Sequence, residues 1–224
     1  MNFNIKILII IMIFGFIILY YLILQYINIC MPNYKLKLID YLYGPDSFIR
    51  VDNKILGNKY NLIYGELTSD GMKSIIEFLN SKKIEKNTFI DLGCGNGKTL
   101  VYAILYGFKE ARGAEIVEVR YKYAEEKKKV LDKSIADKIK LTHSDIFDLE
   151  PLYFPKQSVI FISNLLYHEE TNNQLFKFLS DTVPDDTIII MSKIQNNLYK
   201  LKVIKELNVP MSWSYESICY VLQK

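Results

Sequence analysis

Histidine, cysteine and tryptophan are scarce in this chain, with two, three and one copies among 224 residues, and each scarcity argues against a class of function. His143 and His168 belong to no His-Glu-x-x-His or Cys/His group, so no metal-ligand set can be assigned. Cys30, Cys94 and Cys219 are odd in number and far apart, which leaves no disulfide framework and suits a reducing compartment. An excess of charge is missing too. Lys and Arg number 28 against 25 Asp and Glu, and a net charge of +3 gives no strong nucleic-acid signal. Internal repeats are absent, and the only biased tract is an apolar leader.

That leader runs uncharged from Ile7 to Asn33. About 20 apolar residues, rising ~1.5 Å each, cross a bilayer core of ~30 Å. Tyr20, Tyr21 and Tyr26 lie toward its C-terminal end, with Lys35 and Lys37 just beyond, as interfacial anchors would. The run exceeds the ~7 to 15 residues of a signal-peptide core, and no small-x-small cleavage site follows. The expectation is one N-terminal transmembrane helix within an anchor of residues 1–33. A connecting segment with one short helix over 34–63 and a catalytic domain over 64–224 would follow.

Past Thr68, where Thr68, Ser69 or Asp70 can cap a helix, Met72, Ile75, Ile76 and Leu79 repeat at helical spacing. Short apolar runs then alternate with amphipathic segments: Thr88–Leu92, Gly113–Ile116, Ile139–Thr142, Val159–Ile162 and Thr187–Met191 read as strands. Lys98–Tyr106, Val117–Leu131 and Thr171–Leu179 read as helices, the first stopped by Gly107. Near-continuous apolar strands suit a parallel sheet covered on both faces. Lys202–Leu207 and Ile218–Leu222, separated by a turn with Pro210, predict an antiparallel hairpin that completes seven strands. The fold class is α/β, with a Rossmann-like sheet.

The sharpest motif is Asp91-Leu92-Gly93-Cys94-Gly95-Asn96-Gly97-Lys98, a strand running into a Gly-x-Gly-x-Gly turn that opens a helix. Glycines let the backbone approach a ligand, and a helix start offers free N–H donors. The spacing differs from the Gly-x-Gly-x-x-Gly that cradles a pyrophosphate, and with Asp91 it favours a nucleoside without phosphates, such as S-adenosylmethionine. Glu115 ends the next strand 24 residues on, near the ~20-residue offset of an acid that accepts from ribose hydroxyls. Asp145 follows the third strand, placed for an adenine amino group, with Ile146 against the ring.

Through these residues the chain resembles class I S-adenosylmethionine-dependent methyltransferases. Three further segments are similar to one branch, the disruptor-of-telomeric-silencing family of non-SET histone lysine methyltransferases. They are Tyr64-Gly65-Glu66-Leu67, the segment Val159 to Tyr167 with Ser163-Asn164, and the tail with Trp213 seven residues before Tyr220. The resemblance covers about residues 60 to 224 and implies protein lysine methylation. It implies that Tyr64, Glu66 and Leu67 cover the cofactor, with Glu66 on its amino group; Lys98 is a further cofactor-binding candidate from its place directly after Gly97. Ser163 and Asn164 would orient the amine or the methionine part of the cofactor. Trp213 and Tyr220, with Phe161 and Tyr167, would line a lysine channel. Where the family has two consecutive asparagines, this chain has Ser163 then Asn164. It also lacks a long basic C-terminal tract.

The partners expected are therefore a histone or a membrane-proximal protein, and the membrane itself through the leader. A degenerate cofactor-binding module is the alternative that Ser163 keeps open. Because the cofactor is made in the cytosol and the cysteines suit reduction, the catalytic domain is expected on the cytosolic side.

Overall fold

The computed structural model describes residues 12–22, 36, 38–44 and 65–224. The chain divides into two compact units, Met1–Tyr41 and Leu42–Lys224. In the first, residues 12–22 are helical and all their side chains are exposed. Among the described residues no helix is long and apolar enough to cross a membrane. Eleven helical residues extend only ~16 Å, so the transmembrane helix expected within 1–33 meets the structure at 12–22 alone. The remainder of that run lies outside the described residues. Within the expected connecting segment, residues 38–43 are helical.

The second unit is built on a seven-stranded mixed sheet of order β3-β2-β1-β4-β5-β7-β6. Its strands are β1 (Thr88–Leu92), β2 (Glu110–Glu115), β3 (Ile139–His143), β4 (Ser158–Ile162), β5 (Ile188–Met191), β6 (Lys202–Asn208) and β7 (Ile218–Gln223). The first five run parallel, while β7 is antiparallel to both β5 and β6. The central strands β1, β4 and β5 are buried at every position, as continuous apolar runs require when both faces are covered.

Helices α1 (Ser69–Ser81), α2 (Lys98–Leu105), α3 (Glu118–Lys129), α4 (Lys133–Ala136) and α5 (Glu169–Thr182) accompany the sheet. Thr68 caps α1, its hydroxyl accepting from the Gly71 N–H at 3.0 Å. Below α1's cap, Met72, Ile75, Ile76 and Leu79 are all buried. One core cluster joins Ile160, Ile162 and Met191 of the sheet to Leu175, Phe176 and Leu179 of α5.

The reversal between β1 and β4 in strand order opens a crevice beyond their C-terminal ends, where open α/β sheets bind ligands. Every residue singled out at a strand end lies on this edge.

Candidate functional site

The turn after β1 is shaped by its glycines: Gly93, Gly95 and Gly97 have φ of +92°, +55° and +80°, a region that side chains disfavour. Gly93 and Cys94 both donate to the Ala114 carbonyl, at 2.9 and 3.0 Å, so the turn is pinned to β2. Gly97 is the N-cap of α2 without any side-chain cap, which leaves that helix's N-terminal donors to other partners.

Glu115 reaches under the turn from the end of β2. One carboxylate oxygen accepts from Gly95 N–H and the other from Val117 N–H, both at 2.8 Å. The Ile116 N–H is a third backbone donor to it, and since a carboxylate has about four acceptor positions, capacity remains for one hydroxyl donor. Asp91 is buried beside it. Burial pushes the Asp91 carboxyl up to about 7, the nearby Glu115 charge adds to this, and a hydrogen bond with Thr99 opposes it. Glu115 is likewise raised by burial, against the hydrogen bonds of Val117 and Gly95 and the charge of Arg120. Asp145 accepts from the Phe147 N–H at 3.1 Å and so starts a 3-10 turn at Ile146, both residues half-buried along the same edge.

Glu66 closes the crevice from the other side. Its buried carboxylate pairs with the Lys98 ammonium and accepts from Asn96 Nδ2 at 2.6 Å, while Asn96 Oδ1 accepts from Lys98 N–H at 3.0 Å. Lys98 is therefore an inward-facing partner of the covering segment. The Glu66 N–H donates to Ser212 Oγ at 2.9 Å and the Ser212 N–H returns a bond to the Glu66 carbonyl at 2.8 Å. Leu67 bridges Met211, and a Cβ on Gly65 would lie 2.3 Å from the Trp213 ring. Two segments read separately from the sequence, 65–68 and 210–213, thus form one clasp. Tyr64 lies outside the described residues.

At the end of β4 the arrangement departs from expectation. Asn164, expected to orient the amine or the methionine part of the cofactor, is fully buried. It gives both Nδ2 protons to protein acceptors, Asn172 Oδ1 at 2.6 Å and the Lys193 carbonyl at 2.8 Å. Its Oδ1 accepts from the Lys193 N–H at 3.0 Å, so Asn164 pairs like a backbone unit with the chain leaving β5. Phe161, expected in the channel wall, is buried and alternates to the sheet face opposite Ile160 and Ile162. Ser163 and Tyr167 are half-buried, and the Tyr167 hydroxyl lies 3.9 Å from a Cβ built on Gly93. Tyr220, opposite Met191 in the sheet, packs with Tyr167 against the same core cluster. Trp213 is 41% exposed on the clasp.

A family model described as histone methylation protein DOT1 matches residues 56–212, well over half of the chain. The chain belongs to this family. The DOT1 match takes in the covering segment, the glycine turn, the three acids and the end of β4, and stops just short of Trp213 and Tyr220. No curated protein matches the sequence. Among solved structures, the RNA methyltransferase of Salinibacter ruber in complex with S-adenosyl-L-homocysteine is 16% identical over 66% of this chain and 89% of that one, with a TM-score of 0.50. The Pyrococcus horikoshii protein PH1948 is 13% identical over 84% and 96%, with a TM-score of 0.52. The mitomycin 7-O-methyltransferase MmcR is 12% identical over 70% and 53%, with a TM-score of 0.52. At these identities the likeness concerns the fold.

A nucleoside sulfonium fits the residues of this DOT1 crevice. The Tyr167 hydroxyl stands 3.9 Å from a Cβ built on Gly93, an acceptor position remains on Glu115, and two carboxyls, Asp91 and Glu115, are buried at the strand ends. Sequence reasoning missed Asn96, Ser212, Asn172 and Lys193. Asn96 sits between the motif glycines, and its place in the turn was the available signal. The other three act through contacts between distant segments that no local pattern encodes.

Proposed function

We propose that the protein transfers a methyl group from S-adenosylmethionine to a lysine side chain of a protein, with a histone as the substrate that DOT1 membership favours. The observation that carries this reading is the meeting, on one sheet edge, of the glycine turn, the acids Asp91, Glu115 and Asp145, and the Glu66 segment clasped by 210–213.

When bound, S-adenosylmethionine supplies an electrophilic methyl group on a sulfonium. Glu115 accepts from a ribose hydroxyl, Asp145 from the adenine amino group with Ile146 beside the ring, and Glu66, balanced by Lys98, faces the amino-acid end. Gly93, Gly95 and Gly97 allow close backbone approach, and Asp91 adds a buried carboxyl beside Glu115. Tyr167, Tyr220 and Trp213 exclude water from the acceptor. Taking a lysine ammonium, with an ordinary pKa of ~10.4, out of water beside a cation drives it to the neutral nucleophile. Ser163 offers a hydroxyl to orient that amine. Positioning and desolvation carry the catalysis.

Incubating the full chain with labelled cofactor, core histones and nucleosomes tests this. Methyl-lysine found by mass spectrometry is expected. Bound cofactor with no label on any lysine overturns it.

A membrane-proximal substrate is a second reading, favoured by the exposed apolar side chains of 12–22 within the uncharged run Ile7 to Asn33. In that reading the leader anchors the protein with its catalytic unit in the cytosol. A tether raises the effective concentration of neighbours in the same bilayer. Membrane extracts should then be labelled better than nucleosomes, and protease protection of the catalytic unit inside sealed vesicles would rule out the cytosolic side.

A further inference from the structure

Leu42 and Tyr43 open the second compact unit, ahead of the residues that the DOT1 model matches. Two side chains one turn apart on α3 hold them. Lys127 Nζ donates to the Leu42 carbonyl at 2.7 Å, and the Tyr123 hydroxyl donates to the Tyr43 carbonyl at 3.3 Å. The same ammonium lies 5.9 Å from the centre of the Tyr43 ring and 5.1 Å from that of Tyr123, within range of a cation–π contact with each. Backbone and ring of Tyr43 are thus both tied to α3, the helix whose Ala124 lies against Gly97 of the glycine turn.

Tyr43 is 3% exposed. A tyrosine taken so far out of water ordinarily finds a partner for its hydroxyl, yet among the described residues the Tyr43 side chain forms no hydrogen bond. Nor is that hydroxyl closed off. The fully enclosed polar atoms without a partner, among the described residues, are the Tyr153 hydroxyl and Asn172 Nδ2, so the Tyr43 hydroxyl keeps surface that a ligand can reach. Its surroundings locate it. Burial raises the phenol's pKa, and the neighbouring Cys94, Tyr123 and Glu66 groups add to the rise. Cys94 belongs to the glycine turn and Glu66 to the covering clasp, which places the phenol at the end of the crevice where Glu66 pairs with Lys98. A phenol raised in this way stays protonated and serves as a donor. The amino-acid end of the cofactor carries an ammonium, which Glu66 faces, and an α-carboxylate, which needs donors. The uncapped start of α2 favours that anion at the same end of the crevice, and Tyr43 supplies a side-chain donor for it.

We propose that Tyr43 is a further cofactor-binding residue, its hydroxyl donating to the α-carboxylate of S-adenosylmethionine, with Lys127 as the positioning residue that holds it there. The proposal rests on the placement of the amino-acid end at Glu66 given above. It extends the site to a segment upstream of the family domain.

The test is calorimetric titration of the full chain with two ligands. S-adenosyl-L-homocysteine carries the amino-acid end, whereas 5′-methylthioadenosine shares the nucleoside and thioether but has neither α-carboxylate nor α-ammonium. Tyr43→Phe removes one oxygen and keeps the ring that Lys127 touches. It is expected to weaken S-adenosyl-L-homocysteine about tenfold, as loss of one hydrogen bond to a charged group allows, and to leave 5′-methylthioadenosine unchanged. Equal losses for both ligands would make Tyr43 a structural residue and overturn the proposal, as would no loss for either. Lys127→Met is expected to weaken S-adenosyl-L-homocysteine in the parent chain and to add nothing in Tyr43→Phe. Additive losses there would overturn the positioning role of Lys127. A parent chain that binds 5′-methylthioadenosine as tightly as S-adenosyl-L-homocysteine would remove the Glu66 placement itself, and the proposal with it.

Discussion

Asp91 carries a proton-linked cost that its neighbours do not remove. Its carboxyl titrates near 7 in the folded chain against an ordinary value of 3.8. The native state therefore holds a proton that the unfolded chain loses first, and stability falls as pH rises from about 4 to 7, then levels. Asp91→Asn should flatten that limb, raise the melting temperature at pH 8, and weaken S-adenosyl-L-homocysteine binding. Melting curves at half-unit steps of pH check this, and an unaltered slope would count against it. Gly65 offers a different probe, because Trp213 is the only tryptophan. Gly65→Ala places a methyl group 2.3 Å from the indole, so the ring must move. Its fluorescence maximum should shift, with a cost of ~1 to 3 kcal/mol by urea unfolding. At this scale the sequence was only partly legible. Glu115 and Asp91 sit where strand-end acids were expected, since the spacing of a βαβ unit fixes them. Asn164 was read as a site amide, yet its role depends on Lys193, 29 residues away, and nothing local announces that pairing.

Elements were easier to read than residues. Each central strand is an apolar run bounded by turn residues, and its limits shift by only a few positions between pattern and structure. Helix α4 and the 3-10 turns Ile146–Asp148 and Pro151–Tyr153 escaped because three or four residues show no period. How α2 lies on β2 depends on Gly113, where a Cβ would stand 2.6 Å from both Cys94 Sγ and Leu100 Cδ1. Gly113→Ala should therefore lose ~1 to 3 kcal/mol in chemical denaturation. The link from α2 to the covering segment is the Lys98–Glu66 pair, 13% and 6% exposed. Lys98→Met strands a buried carboxylate and should cost ~3 kcal/mol, and Glu66→Gln added to it should recover most of the loss. Additive losses in that double-mutant cycle would refute the coupling.

For the molecule as a whole, the division at Tyr41 and Leu42 predicts that a chain begun at Leu42 melts in one cooperative transition and keeps its affinity for S-adenosyl-L-homocysteine. Calorimetry decides it, and two separate transitions would contradict a single catalytic unit. The strand order has a further consequence for biosynthesis. β6 is made before β7 yet touches the sheet only through it, and the Glu66–Ser212 bonds join positions 146 apart. A nascent polypeptide can assemble β1 to β5 early, but the lid over its crevice has nowhere to dock until Met211 and Ser212 emerge. Closure of that lid is thus the latest step that this strand order allows, and a partly made chain carries an open crevice even when most of its sheet is in place.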